Sequence, residues 1–208
     1  MKGNYDNVAG FYDKLSKLIY GDAILQSHLF LINAISANSS ILIAGGGTGF
    51  ILEEISKKYA VGLQITYVEI SKKMMALSKK RNVGNNTVFF INQSIHDVTF
   101  GQLFDVVITP FLFDNFNNGT IRSVFNKTNF FLKPHGFWLL ADFRLSENNN
   151  LWQKLLLKLM YFFFKIFCNI EASKLSDTGP LFIKNNYDIV SMKTFYKDFI
   201  YAVIYKKQ

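Results

Sequence analysis

The sequence predicts a three-layer α/β/α fold with a seven-stranded, mostly parallel sheet that closes in a C-terminal antiparallel hairpin. Three observations predict it. Apolar runs alternate with amphipathic helical segments from about Ser40 to Phe143, the order that builds a parallel sheet covered on both faces. Those runs are apolar throughout rather than alternating, as strands covered on both faces should be. The last two runs are separated only by a short polar turn, as in a hairpin.

Asp6 to Ala37 reads as helical, with apolar residues recurring at Leu15, Leu18, Ile19, Ile24, Leu25, Leu29, Ile32 and Ile35. Gly21 marks a break between two helices. The run from Ile41 to Ala44 then meets a glycine cluster, Gly45-Gly46-Gly47-Thr48-Gly49. Phe50–Tyr59 continues as a helix. Leu63–Ile70 is a strand, Lys72–Lys80 a helix, and Thr87–Asn92 and Leu103–Thr109 are strands. A helix over Thr120–Leu132 ends at the turn Lys133-Pro134-His135-Gly136, and Phe137–Phe143 is a strand. The tail holds a long apolar helix, Leu151–Ile170, and a shorter one, Leu181–Tyr187. Strands over Asp188–Tyr196 and Phe199–Lys206 are joined at Lys197-Asp198. The 208 residues form one domain: a helical cap over 1–38, a core over 39–145, a helical insertion or lid over 146–178, and a helix with the hairpin over 179–208.

Half the residues are hydrophobic and 22 are phenylalanine, enough for a large core with rings left over to line a pocket. The formal charge is +8, but the lysines are scattered in pairs and only Arg81, Arg122 and Arg144 supply guanidinium groups. No nucleic-acid partner is expected from that distribution; attraction to an anionic membrane surface fits it better. Cys168 stands alone, which excludes an intramolecular disulfide and a cysteine-based zinc site, and no metal is expected. The first ten residues lack the apolar stretch of a signal peptide, so the expected location is cytoplasmic.

Glycines at 45, 47 and 49 directly after a strand permit a tight turn and let a ligand approach the backbone. Glu69 ends the second strand roughly 20 residues later, where an acid can accept both hydroxyls of a ribose. The alternative for Glu69 is a solvent-facing carboxylate capping the helix at Ser71. Together, turn and acid point to a nucleoside. The spacing is G-x-G-x-G rather than the G-x-G-x-x-G of dinucleotide sites, which counts against a nicotinamide-dependent oxidoreductase.

This spacing resembles the first motif of the class I S-adenosylmethionine-dependent methyltransferases, in the branch of quinone and small-molecule enzymes. The opening YDNVAGFYDKLS, the fourth-strand FDVVITPFLFDNF and the fifth-strand LKPHGFWLLADF are similar to segments of that branch. The resemblance implies a Rossmann-like fold, S-adenosylmethionine as cofactor and S-adenosylhomocysteine as product. It places Gly45, Gly47 and Gly49, with Gly46 and Thr48 between them, against the methionine moiety and gives Glu69 the ribose, with Ile70 beside it. Ser94 and Ile95 fall where the family reads the adenine edge, with Ser94 in place of the usual Asp. Thr109, Pro110 and Phe111 line the methionine end, and Tyr5 and Tyr12 fold over the cofactor. Ile43 occupies the position where the family usually carries an acid.

Asp114 is the first choice for a base or acceptor-orienting group; the alternative is a helix N-cap. Asp142 pairs equally well with Arg144. His28, His96 and His135 read as helix surface, loop and turn. Lys154, Lys158 and Lys165 share one face of the helix LWQKLLLKLMYFFFKIF, whose other sides are apolar. That helix is a lid over the acceptor, a plain covering helix, or a peripheral membrane contact through 151–167 at the inner face of a membrane. The leading expectation is methyl transfer to a small apolar acceptor, whether aromatic, quinone-like or lipidic, at oxygen or carbon. A noncatalytic cofactor-binding or interaction module is the alternative. The sequence assigns no oligomeric state.

Overall fold

Strand β1 (Ser40–Ala44) is flanked by β2 (Val61–Val68) and β4 (Phe104–Pro110), both parallel to it. The computed structural model describes residues 5–145 and 150–208. Residues 1–4 and 146–149, which open the expected cap and the expected insertion, lie outside the described part. Outward from β2 runs β3 (Asn85–Ile91); outward from β4 come β5 (Leu132–Phe143), β7 (Ile200–Lys207) and β6 (Tyr187–Phe195). The order is β3-β2-β1-β4-β5-β7-β6. Only the contacts of β7 with β5 and β6 are antiparallel. The chain order reverses between β1 and β4, the place where open α/β sheets bind ligands beyond their carboxyl ends.

Helices α1 (Tyr12–Tyr20) and α2 (Ala23–Ile32) form the cap. The connecting helices are α3 (Phe50–Lys58), α4 (Lys72–Ser78) and α5 (Asn118–Phe131), followed by α6 (Leu151–Cys168) and α7 (Gly179–Lys184). Burial of both sheet faces holds the layers. Leu42, Val107, Trp138, Phe125 and Phe182 pack on one side, and Ile41, Ile43, Ile55, Tyr67 and Ile108 on the other. Each such side chain contributes about 1.5–3 kcal/mol on burial. Ile43 is fully buried in the second cluster, so the position of the missing acid is a core position here. A third cluster joins the cap to α6 through Tyr20, Met160, Tyr161 and Phe199.

Three expectations about elements are corrected. Residues 133–136 are not a separate turn but belong to β5, as a bulge. The register with β4 shifts between Phe104↔Leu132 and Val106↔Phe137, with His135 at φ 61°. Helix α7 starts earlier and stops at Lys184, and Tyr187 opens β6 instead. The hairpin turn is wider than Lys197-Asp198. Tyr196 also takes a positive φ, and the Thr194 hydroxyl donates to Asp198 Oδ1 at 2.5 Å.

Candidate functional site

A cavity of about 870 Å³ lies beyond the carboxyl ends of β1, β2 and β4, walled by α1, α2 and α6. The turn after β1 forms one wall. Gly45, Gly47 and Gly49 have φ of 68°, 64° and 80°, a region that L side chains enter at a cost. Packing adds further demands. A Cβ on Gly46 would lie 2.2 Å from the Tyr67 ring, and one on Gly49 would lie 2.7 Å from Ser78 Cα. A Cβ on Gly45 would meet Leu112 at 2.6 Å, whereas one on Gly47 would meet only Met74 Sδ at 3.7 Å. Gly47 is therefore the glycine with room for a ligand beside it. Gly49 does not line the cavity; it lets α3 pack closely on α4.

Glu69 is buried rather than solvent-facing. Its Oε2 accepts from Gly47 N at 2.9 Å and its Oε1 from Ser71 N at 2.7 Å. Burial raises its pKa, while the amides of Ser71, Gly47 and Ile70 pull it back toward the anion. The helix cap expected of it is supplied by Ser71, whose Oγ accepts from Met74 N. A carboxylate has roughly four lone-pair sites, so acceptor capacity remains toward the cavity. Asn92, two residues before Ser94, donates to the carbonyls of Glu69 and Ile70 at 2.8 and 3.0 Å and ties β3 to this corner.

Ile70, Ser94 and Ile95 line the same wall, and Ser94 Oγ accepts from His96 N at 3.2 Å. Pro110 and Phe111 also reach the cavity, Phe111 with φ 52°. Thr109 does not. It is fully buried, and its hydroxyl accepts from Trp138 Nε1 at 2.9 Å inside the core.

Tyr5, Tyr12 and Thr48 come to the cavity from the cap side and the turn. Tyr5 donates to Asn115 Oδ1, and its ring packs on Tyr12 and Phe164 with centroids 5.9 and 5.3 Å apart. The cap is latched onto the turn by a network the sequence did not reveal. Thr48 donates to Asp13 Oδ1 at 2.7 Å. Arg81 donates to Asp13 Oδ2, to Glu53 at 3.1 Å and to the Thr48 carbonyl at 3.1 Å. From α6, Leu156, Leu159, Met160, Phe162, Phe163 and Phe164 complete the lining.

Asp114 lies in the 3₁₀ turn Phe113–Asn115 and faces the cavity. It is not an N-cap, because Asn117 caps α5 by accepting from Gly119 N and Thr120 N. Asn115 Nδ2 donates to Asp114 Oδ1 at 2.8 Å. Behind it stands Asp142, buried, accepting from Phe143 N at 2.8 Å. The expected pairing of Asp142 with Arg144 does not form; Arg144 donates to the Asp198 carbonyl. Burial pushes both carboxyl groups up, Asp142 to about 7, and the Asp142 charge raises Asp114 further.

His28 is a further correction. It is not on the helix surface but 5% exposed, lining the cavity with its ring 6.0 and 6.1 Å from those of Phe50 and Phe111. Burial lowers its pKa to about 4. Neither ring nitrogen has a hydrogen-bond partner among the described residues.

A family model described as a methyltransferase domain matches residues 41–136, from β1 into β5. The malonyl-[acyl-carrier protein] O-methyltransferase of Priestia megaterium is 30% identical over 150 residues, 69% of this chain and 51% of that protein. The ubiquinone/menaquinone biosynthesis C-methyltransferase UbiE of Wigglesworthia glossinidia brevipalpis is 30% identical over 147 residues, 67% of this chain and 57% of that one. The chain thus spans little more than half the length of these relatives. The fold matches that of the N-methyltransferase NodS from Bradyrhizobium japonicum WM9 in complex with S-adenosyl-L-homocysteine. The TM-score is 0.65 at 12% identity, over 88% of this chain and 84% of that one.

Proposed function

We propose that this chain is a class I S-adenosylmethionine-dependent methyltransferase, a reading supported by its match to a methyltransferase domain over residues 41–136 and its 30% identity to two methyltransferases, and that it transfers a methyl group to oxygen or carbon of a small apolar acceptor. The observation that carries this reading is a single cavity shared by two kinds of wall. One wall holds Gly47, Glu69, Ile70, Ser94 and Ile95; the other holds the aliphatic and aromatic side chains of α1, α2 and α6. A polar, nucleoside-sized wall joined to an apolar one suits a donor and an acceptor held side by side.

Glu69 would hold the ribose hydroxyls and the turn Gly45–Gly47 the amino-acid end, with Pro110 and Phe111 beside it. Ser94 and Ile95 would meet the adenine, and Tyr5 and Tyr12 would close over the site. The residues fit that group: Gly47 has open space beside it and Glu69 keeps acceptor capacity facing the cavity. When bound, the cofactor supplies a methyl group already activated on a sulfonium. The protein's own work is to align, to exclude water and to receive a proton. The apolar residues of α6 exclude water from the acceptor side. Asp114 is the group placed to accept or share the acceptor's proton, its basicity increased by burial and by Asp142.

The acceptor's apolar character rests on the α6 wall, and α6 acts as the lid of a single domain with the cap at its N-terminal side. The alternative is a noncatalytic cofactor-binding module, which would keep the polar wall and transfer nothing. The test is incubation with methyl-tritiated S-adenosylmethionine and a panel of hydroquinones, naphthols and fatty-acyl thioesters. Label in an organic-soluble product, much reduced in Asp114→Asn, supports the proposal. No label from any panel member, with S-adenosylhomocysteine still bound, favours the module.

A further inference from the structure

His28 sits where the two walls of the cavity meet. One turn before it on α2, Ile24 and Leu25 line the apolar side. Opposite stand Phe50, the first residue of α3, and Phe111, which follows β4. Its ring packs against both of those phenylalanine rings. It is 5% exposed and both nitrogens are without partners among the described residues. An aliphatic side chain would fill this place with no such loss, because a buried polar group without a hydrogen bond is costly. No carboxylate contributes to its titration; burial alone keeps it uncharged.

We propose that His28 is the polar anchor for the acceptor, binding a hydroxyl on an otherwise apolar ring or chain. This rests on the methyl-transfer reading above. A neutral imidazole presents one donor and one acceptor, which a hydroxyl matches with its own acceptor and donor. A carboxylate or phosphate would call for a cation, and His28 is not one. The flanking Phe50 and Phe111 rings favour a flat or apolar body on either side of that hydroxyl. A phenolic or enolic hydroxyl at this point serves methyl transfer to the oxygen itself or to a ring carbon beside it. His28 is thus assigned a specificity-determining contact.

The probes are 1-naphthol and naphthalene, which differ by the hydroxyl alone. Both are titrated into wild type, His28→Phe and His28→Gln, with and without S-adenosylhomocysteine, while the His28 ring nitrogens are followed by nitrogen-15 NMR. Wild type should prefer 1-naphthol by roughly three- to tenfold, the worth of one hydrogen bond, and the ring-nitrogen shifts should move with 1-naphthol only. His28→Phe should bind the two probes equally, and His28→Gln should recover part of the preference. Equal binding by wild type, no 1-naphthol binding, or a preference that survives in His28→Phe would overturn the assignment. Weakened S-adenosylhomocysteine binding in His28→Phe with the preference intact would overturn it too, by moving His28 to the cofactor. Failure of S-adenosylhomocysteine to bind wild type sinks the cofactor reading alone, since the comparison without it still decides the role of His28.

Discussion

The carboxylate of Glu69 accepts a hydrogen bond from the main-chain amide of Gly47 at 2.9 Å, joining the end of β2 to the turn after β1. Two features 22 residues apart in the chain are thereby one structure. The turn orients the acid, and the acid fixes the turn. A second bond, from Ser71 N to the other oxygen, holds the carboxylate from the α4 side. Any ligand taken by Glu69 meets a group already aimed.

The glycines of that turn should differ in what they tolerate. Gly47→Ala faces a left-handed backbone but little crowding, and should cost about 1–2 kcal/mol. Gly46→Ala puts a methyl group into the Tyr67 ring, and overpacking of this kind costs about 1–3 kcal/mol. Tyr67 is pinned by its own bond to the Gly47 carbonyl at 2.9 Å, so it yields poorly. Urea unfolding of the two variants should therefore place Gly46→Ala at or below Gly47→Ala, and Gly46→Ala together with Tyr67→Leu should recover part of the loss.

Asp142 should make the protein less stable as pH rises. Its folded pKa is about 7 against an ordinary 3.8. Between those values the folded state binds more protons than the unfolded one, so stability falls with rising pH. Asp142→Asn removes that loss and keeps an oxygen for the Phe143 amide. Relative to wild type, the variant should gain roughly 1–4 kcal/mol more at pH 8 than at pH 4. A pH-independent difference would mean that Asp142 is ionised throughout.

His28 acts in the opposite direction. Its folded pKa of about 4 lies below the ordinary 6.5. The unfolded state takes up the proton first, so the contribution is complete above pH 6.5 and is lost as pH falls toward 4. His28→Phe should flatten that acid-side loss by up to about 3 kcal/mol in unfolding curves at pH 4.5 and 7.5. The two groups oppose each other over this range, so Asp142→Asn and His28→Phe should tilt the dependence of stability on pH in opposite directions relative to wild type.

Helix α6 should also bring the protein to anionic bilayers. Leu155, Leu159, Phe162 and Ile166 are exposed on adjoining turns, Phe162 by 68%. Lys158 and Lys165 are exposed along one shoulder of that stripe, and Leu159 and Phe162 also line the cavity. Among the described residues no helix is long and apolar enough to cross a membrane, so the contact would lie in the interface. Flotation with phosphatidylglycerol vesicles should exceed that with phosphatidylcholine and fall with salt. Phe162→Glu should abolish it. Salt-independent binding, or self-association through the same face, would contradict this account.

The sheet was legible because its central strands β1 and β4, and β5 from Phe137 onward, are apolar runs, and the glycine spacing with Glu69 marked one wall of the site. What escaped has physical reasons. The bulge at 133–136 looks like a turn because Pro134 and Gly136 carry turn chemistry wherever they stand. His28 looks like a surface residue because helical periodicity does not reveal that α2 is covered on that side by Phe50 and Phe111. The latch of Arg81, Asp13 and Thr48 joins three segments that only the fold brings together. Thr109 has the sequence position of a cavity residue, yet strand alternation turns its side chain toward Trp138. Local pattern is written in the chain, whereas the partners of buried polar groups are settled by packing between distant segments.

Calorimetric titration of wild type and Glu69→Ala with S-adenosylhomocysteine, with NAD as the comparison ligand, tests the central claim most directly. The account predicts one site for S-adenosylhomocysteine in wild type and no comparable binding of NAD. It predicts that Glu69→Ala weakens S-adenosylhomocysteine by about 1.5–3 kcal/mol, the worth of hydrogen bonds to a charged group. Absence of S-adenosylhomocysteine binding to wild type, or an affinity unchanged in Glu69→Ala, would contradict it.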